Sequence, residues 1–486
     1  MVKNDTTVAK AVYNDKLNPE HIANPLISAL PPKASLEVFV RRTRLQFDKL
    51  TPFNDSAEER ILAIHKLKKL YIPIYEHFEL YSRMYDSIVA SYEYRNPFSP
   101  QVISWNYELA DPDFDYDIED DVALDSTTSE SNVLTGPSGL GKSTAVNNSL
   151  YRLIPQVIVH SKDKVQNPQV TYLCVEMPHD GTRRTLCLNI FKALDVCLES
   201  FNAPKYALLY DKPRIQIGKM EAALHVLLRE YHIGVLVIDE FQNLLVTGKS
   251  KRSEMLQFFD SLANNAKVSL LKVGTPEALG LFKIKHQHLR RAGATLELKP
   301  YLQDSDNWKK LVNVLIKRQF VKKPIVLTDK LNDELYKLTC GYPYALVRLW
   351  QFVQIEVIQD GSERITPEKI RKVYSRVFSM LKSTFSVIRK GKSATFADMM
   401  TVQQYFDNGD KSSAIQHLRH FIDSKALFGP ATKHIAEAVT AMESDVDLSP
   451  EQKQEIAKVR AKLNQRLIAN DAAKDQVLES HIEEAA

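Results

Sequence analysis

The sequence predicts an α/β protein: a mostly parallel sheet with helices on both faces, extended at either end by helical segments. Three observations predict it. Five short apolar runs between residues 132 and 298 alternate with helical patterns. Two of those runs end in residues suited to phosphate and metal chemistry. After Pro300 the strand-like runs stop, and amphipathic helical patterns take over.

The strand candidates, in order, are Asn132–Thr135, Val170–Glu176, Ile233–Asp239, Val268–Gly274 and Thr295–Leu298. The third, in GVLVID, is a run of β-branched and aliphatic residues, which marks a buried parallel strand, and apolar strands alternating with helices imply a mostly parallel sheet covered on both faces. Between them, Met255, Phe258, Phe259 and Leu262 recur at i, i+3, i+4, i+7, the spacing of one helix face. Upstream, Ile61, Ile64, Leu67, Leu70 and Tyr71 lie near helical spacing within a helical stretch at 36–94. Arg60, His65, Lys66, Lys68 and Lys69 crowd that stretch and read as a charged outer face, or as a surface for DNA or a protein partner. Residues 1–35 read as irregular and proline-rich. Downstream, Thr366-Pro367-Glu368 supplies an N-cap followed by proline at the first helical position. Ile370, Val373, Tyr374, Val377, Phe378 and Leu381 continue one apolar face, and Ser449-Pro450-Glu451 opens a last helix.

A chain of 486 residues is too long for one ordinary core. The expected division is an N-terminal, mainly helical extension (1–109), an acidic linker (110–130), an α/β nucleotide-binding domain (131–300), a helical lid (301–385) and a C-terminal helical partner-binding extension (386–486). The start is polar, with no apolar core of a signal peptide, and no apolar stretch reaches the ~18 residues of a membrane span. No membrane association is expected. Cys174, Cys187, Cys197 and Cys340 form no CxxC pair, so buried reduced thiols of a cytoplasmic protein are expected. The formal charge of +4 excludes neither DNA nor an acidic partner. Asp111, Asp113, Asp115 and Asp117 alternate within an acidic strip at 111–121. A calcium loop starting at Asp113 would need glycine and glutamate where Ile118 and Leu124 stand, so a linker or docking strip fits better.

The strongest motif is GPSGLGKST: Gly136, Pro137, Ser138, Gly139, Leu140, Gly141, Lys142, Ser143 and Thr144. It matches GxxxxGK[ST] in full, between a strand and a helix. Glycines let backbone N–H groups turn inward onto phosphates, and the following helix adds its N-terminal dipole. Lys142 is expected to reach the β- and γ-phosphates of ATP, and Ser143 to coordinate Mg²⁺. GVLVIDEFQNL (Gly234 to Leu244) ends a buried strand on two acids. Adjacent carboxylates there are costly unless a cation or a reaction needs them. Asp239 is expected to hold Mg²⁺, and Glu240 to orient or deprotonate the attacking water. Thr275, closing the run VSLLKVG, is the candidate sensor of the γ-phosphate or water. Arg290 and Arg291 are candidate arginine fingers for a neighbouring subunit, and Arg348 is a candidate nucleotide-sensing lid arginine.

These motifs, in this order, resemble initiator-like AAA+ ATPases and, more closely, the TnsC family of ATP-dependent regulators in bacterial Tns-type transposons. The residues carrying the resemblance are NPLISALPP (Asn24 to Pro32), YRNP (Tyr94 to Pro97), the glycine-rich loop and PQVIVH (Pro155 to His160). LCLNIFKALD (Leu186 to Asp195), LVIDEFQNL, VGTPEA, RRAG and ERIT (Glu363 to Thr366) complete the set. The similarity spans roughly residues 20 to 400. It implies an AAA+ P-loop fold with a parallel five-stranded sheet and helical lid, using ATP and Mg²⁺. It also implies a homo-oligomer, ring or helical filament, on double-stranded DNA without sequence specificity. The implied partners are transposase subunits (TnsA- and TnsB-like) and a target selector (TnsD- or TniQ-like), and the implied location is the bacterial nucleoid.

Duplex binding needs cations aimed at phosphates. Arg183 and Arg184, leading into a helix from PHDGTRR, and Lys162 and Lys164 in SKDK are the candidates. Two other readings keep the same nucleotide site: a protein-binding signalling ATPase, and a replication initiator or helicase loader. The latter predicts a winged-helix reader, and no clear pattern for one follows residue 370.

Overall fold

The structure, a computed structural model, describes residues 6–44, 56–104, 131–282, 294–381, 385, 406, 409–424, 430–445 and 447–465. By internal contacts the chain forms two compact units. One draws on 1–44, 71–136 and 142–298, the other on 45–70, 137–141 and 299–486.

The first unit is built on five parallel strands: β2 (Ser131–Thr135), β5 (Tyr172–Glu176), β6 (Val235–Asp239), β7 (Ser269–Gly274) and β8 (Ala294–Glu297). Their order is β5-β6-β7-β2-β8, every pairing parallel. All five strand candidates are therefore present, shifted at most two residues at their ends, except that Val170–Glu176 divides. After Val170 the Thr171 hydroxyl bonds the Pro155 carbonyl at 2.6 Å, and the chain changes sheets. Residues 169–170 pair with β3 (Val157–Val159) as β4, while 172–176 pair with β6 as β5. The helix Tyr75–Glu93 packs on β2, β6 and β7, and Arg183–Cys197 packs on β5. Leu186, Ile190, Phe191 and Leu194 of the latter join Leu236, Ile238, Met255, Phe259 and Leu262 in one buried core. Among the described residues no helix is long and apolar enough to cross a membrane. Cys187 and Cys197 lie in the same core, and burial pushes both thiols up to about 12, so neither is poised as a nucleophile.

The N-terminal segment departs from the irregular coil read from sequence. Val8–Lys10 form β1, which pairs in parallel with β3 in a small second sheet, β1-β3-β4. The Asn24 side chain caps Leu26 N–H at 3.1 Å and donates to the Tyr92 carbonyl at 2.8 Å. Leu26 and Ile27 are buried. A three-residue strand whose partner lies far along the chain leaves no local periodicity to read.

The second unit is helical. Pro343–Gln359 is its hub, with Ala57–Lys66, Asp306–Ile316, Asp329–Thr339 and Pro367–Val377 packed against it. Side-chain caps start these helices: a Ser56–Glu59 capping box, Ser305, Thr328 and, as the sequence predicts, Thr366 followed by Pro367. A helix also runs from 450 to 465.

Arg60 corrects the reading of a charged outer face. Its side chain is 5% exposed and pairs with Glu363 at 2.6 Å, while also donating to the Phe320 carbonyl at 2.7 Å. Arg60 holds the Glu363 carboxyl below the usual carboxylate range. Because the folded state favours ionised Glu363, this contribution is whole above the unfolded value near 4.5. It is lost as pH falls through the lower folded value. Arg60→Met strands a buried carboxylate and should lower unfolding stability by about 3 kcal/mol, measured by urea denaturation at pH 7. The loss should shrink below pH 4.

Candidate nucleotide site

In the five-stranded sheet, β6, β7 and β2 are consecutive neighbours, so their carboxyl ends lie side by side. In open α/β sheets ligands bind at such ends. β2 runs directly into the glycine-rich loop, and the helix Lys142–Tyr151 leaves it. β6 ends on Asp239, and β7 is followed at once by Thr275.

The loop needs its glycines. A Cβ on Gly136 would sit 2.6 Å from the Leu298 carbonyl oxygen, and Gly139 and Gly141 both take φ +85°. That backbone leaves amides free to turn towards an anion rather than along a helix or strand. Lys142 is half-buried, and its amine donates to the Gly136 carbonyl at 2.8 Å. Burial lowers its pKa, opposed by the charges of Glu240, Asp239 and Glu277. Ser143, half-buried, and Thr144, exposed, follow in the first turn of the helix.

Asp239 is buried, its Oδ1 accepting the Glu240 N–H at 2.8 Å. Glu240 itself adopts a left-handed conformation, φ 53° and ψ 38°. Such strain in a non-glycine residue persists only where its surroundings enforce it, and it clusters at functional sites. Burial and the Asp239 charge push the Glu240 carboxyl up to about 7; Lys142 and a hydrogen bond from Gln242 oppose them. Thr275 is 1% exposed, and among the described residues its hydroxyl has no partner; nor has the buried hydroxyl of Thr135, at the end of β2. Orphaned buried hydroxyls are rare and call for an explanation. A phosphate or an ordered water at this place satisfies them. The donor set thus fits a metal-bound triphosphate: backbone amides and a lysine for phosphate, Ser143 and Asp239 for Mg²⁺, and Glu240 and Thr275 for water and the γ-phosphate.

Arg348 belongs to the helical unit, one turn beyond Tyr344, whose N–H donates to the Gly139 carbonyl at 3.2 Å. Its guanidinium lies 4.5 Å from the Phe352 ring centre. Arg290 and Arg291 lie outside the described residues, as does the acidic strip at 111–121.

The candidate DNA contacts divide. Arg183 begins its helix but is ion-paired with Glu221 at 2.8 Å and Glu254 at 3.3 Å. Arg184 donates to the carbonyls of Lys212 and Ile215 at 2.7 and 2.8 Å. Together with Gly181, Thr182, Ile217, exposed Lys251 and Glu254 they line an open cleft of ≈ 180 Å³. Lys162 and Lys164 are exposed on a turn, with the Lys164 amine 3.9 Å from the Tyr13 ring centre. Sequence reading missed Lys251 and Glu277. KSKR at 249–252 is a visible basic run, but nothing local says which loop it faces. Glu277 follows a Thr-Pro turn and has no motif of its own.

The AAA domain family matches residues 126–282. No curated protein matches the chain. Among solved structures, the chain is similar to the ORC2 protein of Aeropyrum pernix in its ADPNP–ADP complexes, at 14% identity and TM-score 0.35, covering 69% of this chain and 89% of that one. It is similar to a Walker-type ATPase of Pyrococcus abyssi at 14% identity and TM-score 0.36, covering 69% and 90%. It is also similar to AMPPCP-bound DnaA from Aquifex aeolicus, at 12% identity and TM-score 0.29, covering 74% and 87%. Residues 126–282 are therefore an AAA domain, and the chain has an AAA+ P-loop fold with helical extensions.

Proposed function

We propose that this chain is an ATP-hydrolysing, DNA-bound AAA+ regulator of the TnsC type, which assembles on duplex DNA and links target-site selection to transposase recruitment. The observation that carries the ATPase reading is the convergence at three adjacent strand ends of an acid pair, a lysine amine and a hydroxyl without a partner among the described residues. Loop amides and Lys142 bind the triphosphate. Ser143 and Asp239 hold Mg²⁺, which when bound neutralises charge on the phosphate oxygens. Glu240 aligns the attacking water and takes its proton at a carboxylate oxygen, while Thr275 holds the water or γ-phosphate from the neighbouring strand. Arg290 or Arg291 reaching a neighbour's ATP would couple assembly to nucleotide.

What supports DNA binding is the cationic cleft at the start of the Arg183–Cys197 helix. The ion pairs of Arg183 and the carbonyl contacts of Arg184 leave exposed Lys251, Lys162 and Lys164 as the cleaner probes. What supports the transposition reading is the joint set of TnsC-like segments: NPLISALPP docks through Asn24 and Leu26, and LCLNIFKALD supplies Leu186, Ile190 and Phe191 to the core.

The test is duplex binding by fluorescence anisotropy, with and without a non-hydrolysable ATP analogue, followed by electron microscopy of the bound species. Nucleotide-dependent binding and a ring or filament are expected; equal DNA retention in both conditions rejects the reading. Lys251→Glu should weaken duplex affinity about tenfold at low salt and reduce the slope of log affinity against log salt by about 1. An unchanged slope removes Lys251 from the interface.

A further inference from the structure

Beyond β6 the chain turns back at once. Left-handed Glu240 leads into the short 3-10 helix Phe241–Val246, which brings Gln242 beside the carboxylate it follows. The Gln242 Nε2 donates to Glu240 Oε2. Its Oε1 accepts the Thr275 N–H at 3.1 Å. One primary amide therefore joins the acid at the end of β6 to the residue at the end of β7, its direct neighbour in the sheet. The amide's orientation follows from its partners: a backbone N–H needs the oxygen, so the NH₂ faces the carboxylate. The donation to Glu240 is charge-assisted, the stronger kind of hydrogen bond.

The surroundings are shaped for this bridge. A Cβ on Gly274 would meet Gln242 Oε1 at 3.0 Å, Ala278 Cβ at 3.3 Å and Phe241 Cβ at 3.4 Å. Only a residue without a side chain leaves the amide its full room. The next residue, Gln242's neighbour Asn243, is tied separately, its Nδ2 donating to the Met177 carbonyl at 2.9 Å. The turn is thus anchored on β5's exit, and Gln242 is left to the two strand ends.

We propose that Gln242 is a positioning residue for hydrolysis: its side-chain amide fixes the Glu240 carboxylate relative to Thr275, so that base and sensor move as one. The inference rests on the ATPase reading. Gln242 touches neither phosphate nor water in this role; it acts through Glu240. Its loss lets the carboxylate rotate away from the line of attack while the loop and Lys142 still grip the nucleotide.

The experiment compares steady-state ATP hydrolysis and fluorescent-nucleotide affinity of the full chain, with duplex DNA and Mg²⁺, for wild type, Gln242→Met and Gln242→Glu. Methionine keeps the length and removes both hydrogen bonds. Glutamate keeps the acceptor for Thr275 and removes the donor to Glu240. Both should lower kcat about 10–100-fold and leave KM and nucleotide affinity within about twofold, because the lost bond is to a charged group and is not a binding contact. Should Gln242→Met fail to fold, Gly274→Ala, which crowds the amide oxygen, gives the same split between kcat and KM. If wild type hydrolyses ATP and Gln242→Glu and Gly274→Ala match its kcat within twofold, this inference is overturned alone. A parallel rise in KM, with kcat preserved, overturns it too. Wild type that binds DNA with nucleotide but turns over no ATP overturns the ATPase reading and this inference with it.

Discussion

Glu240→Gln should lower ATP turnover by about 10²–10⁴-fold while leaving ATP binding nearly intact. The amide is isosteric with the carboxyl but cannot accept the proton of the attacking water. The environment of Glu240 makes the effect large. Its carboxyl is largely shielded from water at the carboxyl end of an interior strand and crowded by Asp239 and Glu176, which raises its affinity for a proton and makes it a competent base. Substitution also removes one of two adjacent negative charges from a buried place, so the folded chain should lose no stability. The variant should accumulate in its ATP-bound form. On duplex DNA, size-exclusion chromatography should show an assembly that persists for as long as ATP is present, where wild type disperses. Undiminished turnover by Glu240→Gln would remove Glu240 from the chemistry.

Lys142→Ala should abolish nucleotide-dependent DNA binding. Each hydrogen bond from a charged group to phosphate contributes about 1.5–3 kcal/mol, so loss of the amine should weaken ATP binding about 10–100-fold. In the structure that amine rests on the Gly136 carbonyl at 2.8 Å, beside Glu240, Asp239 and Glu277. Alanine removes the amine from beside three carboxylates, and the anionic triphosphate meets that less balanced charge. The expected pattern separates the two variants: Glu240→Gln binds and does not turn over, whereas Lys142→Ala does neither. Isothermal titration with Mg-ATP distinguishes them directly. Wild-type affinity in Lys142→Ala would show that the loop is not the phosphate cradle.

The parts of this architecture written in contiguous residues were legible. Strands buried on both faces are dominated by aliphatic residues, so VLVID and, despite its serine and lysine, SLLKVG stand out without knowledge of their neighbours. The glycine-rich loop and the acid pair are legible because their chemistry demands fixed local spacing. Thr366-Pro367 announces its helix for the same reason. What stayed hidden depends on contacts between distant residues. Arg60 looked like one more surface cation, and only the fold brings Glu363 to it, 303 residues away. Gln242 sat in plain view beside Glu240, yet its role needs Thr275, which the strand order alone brings near. Arg183 and Arg184 drew attention as a basic pair, but Glu221 and the carbonyls of Lys212 and Ile215, which engage them, lie on other elements.

The small β1-β3-β4 sheet has a consequence for how the chain is made. Thr7 and Gln156, hydrogen-bonded beside β1, are 149 residues apart, and Leu26 waits for Gln169, 143 residues further on. At about 5–20 residues per second, a ribosome needs roughly 7–30 s to supply those partners. Through that interval Val8–Lys10 have no strand to pair with. The segment around β1 therefore waits for distant partners, and the nascent chain presents an unpaired strand to whatever holds unfinished proteins in solution.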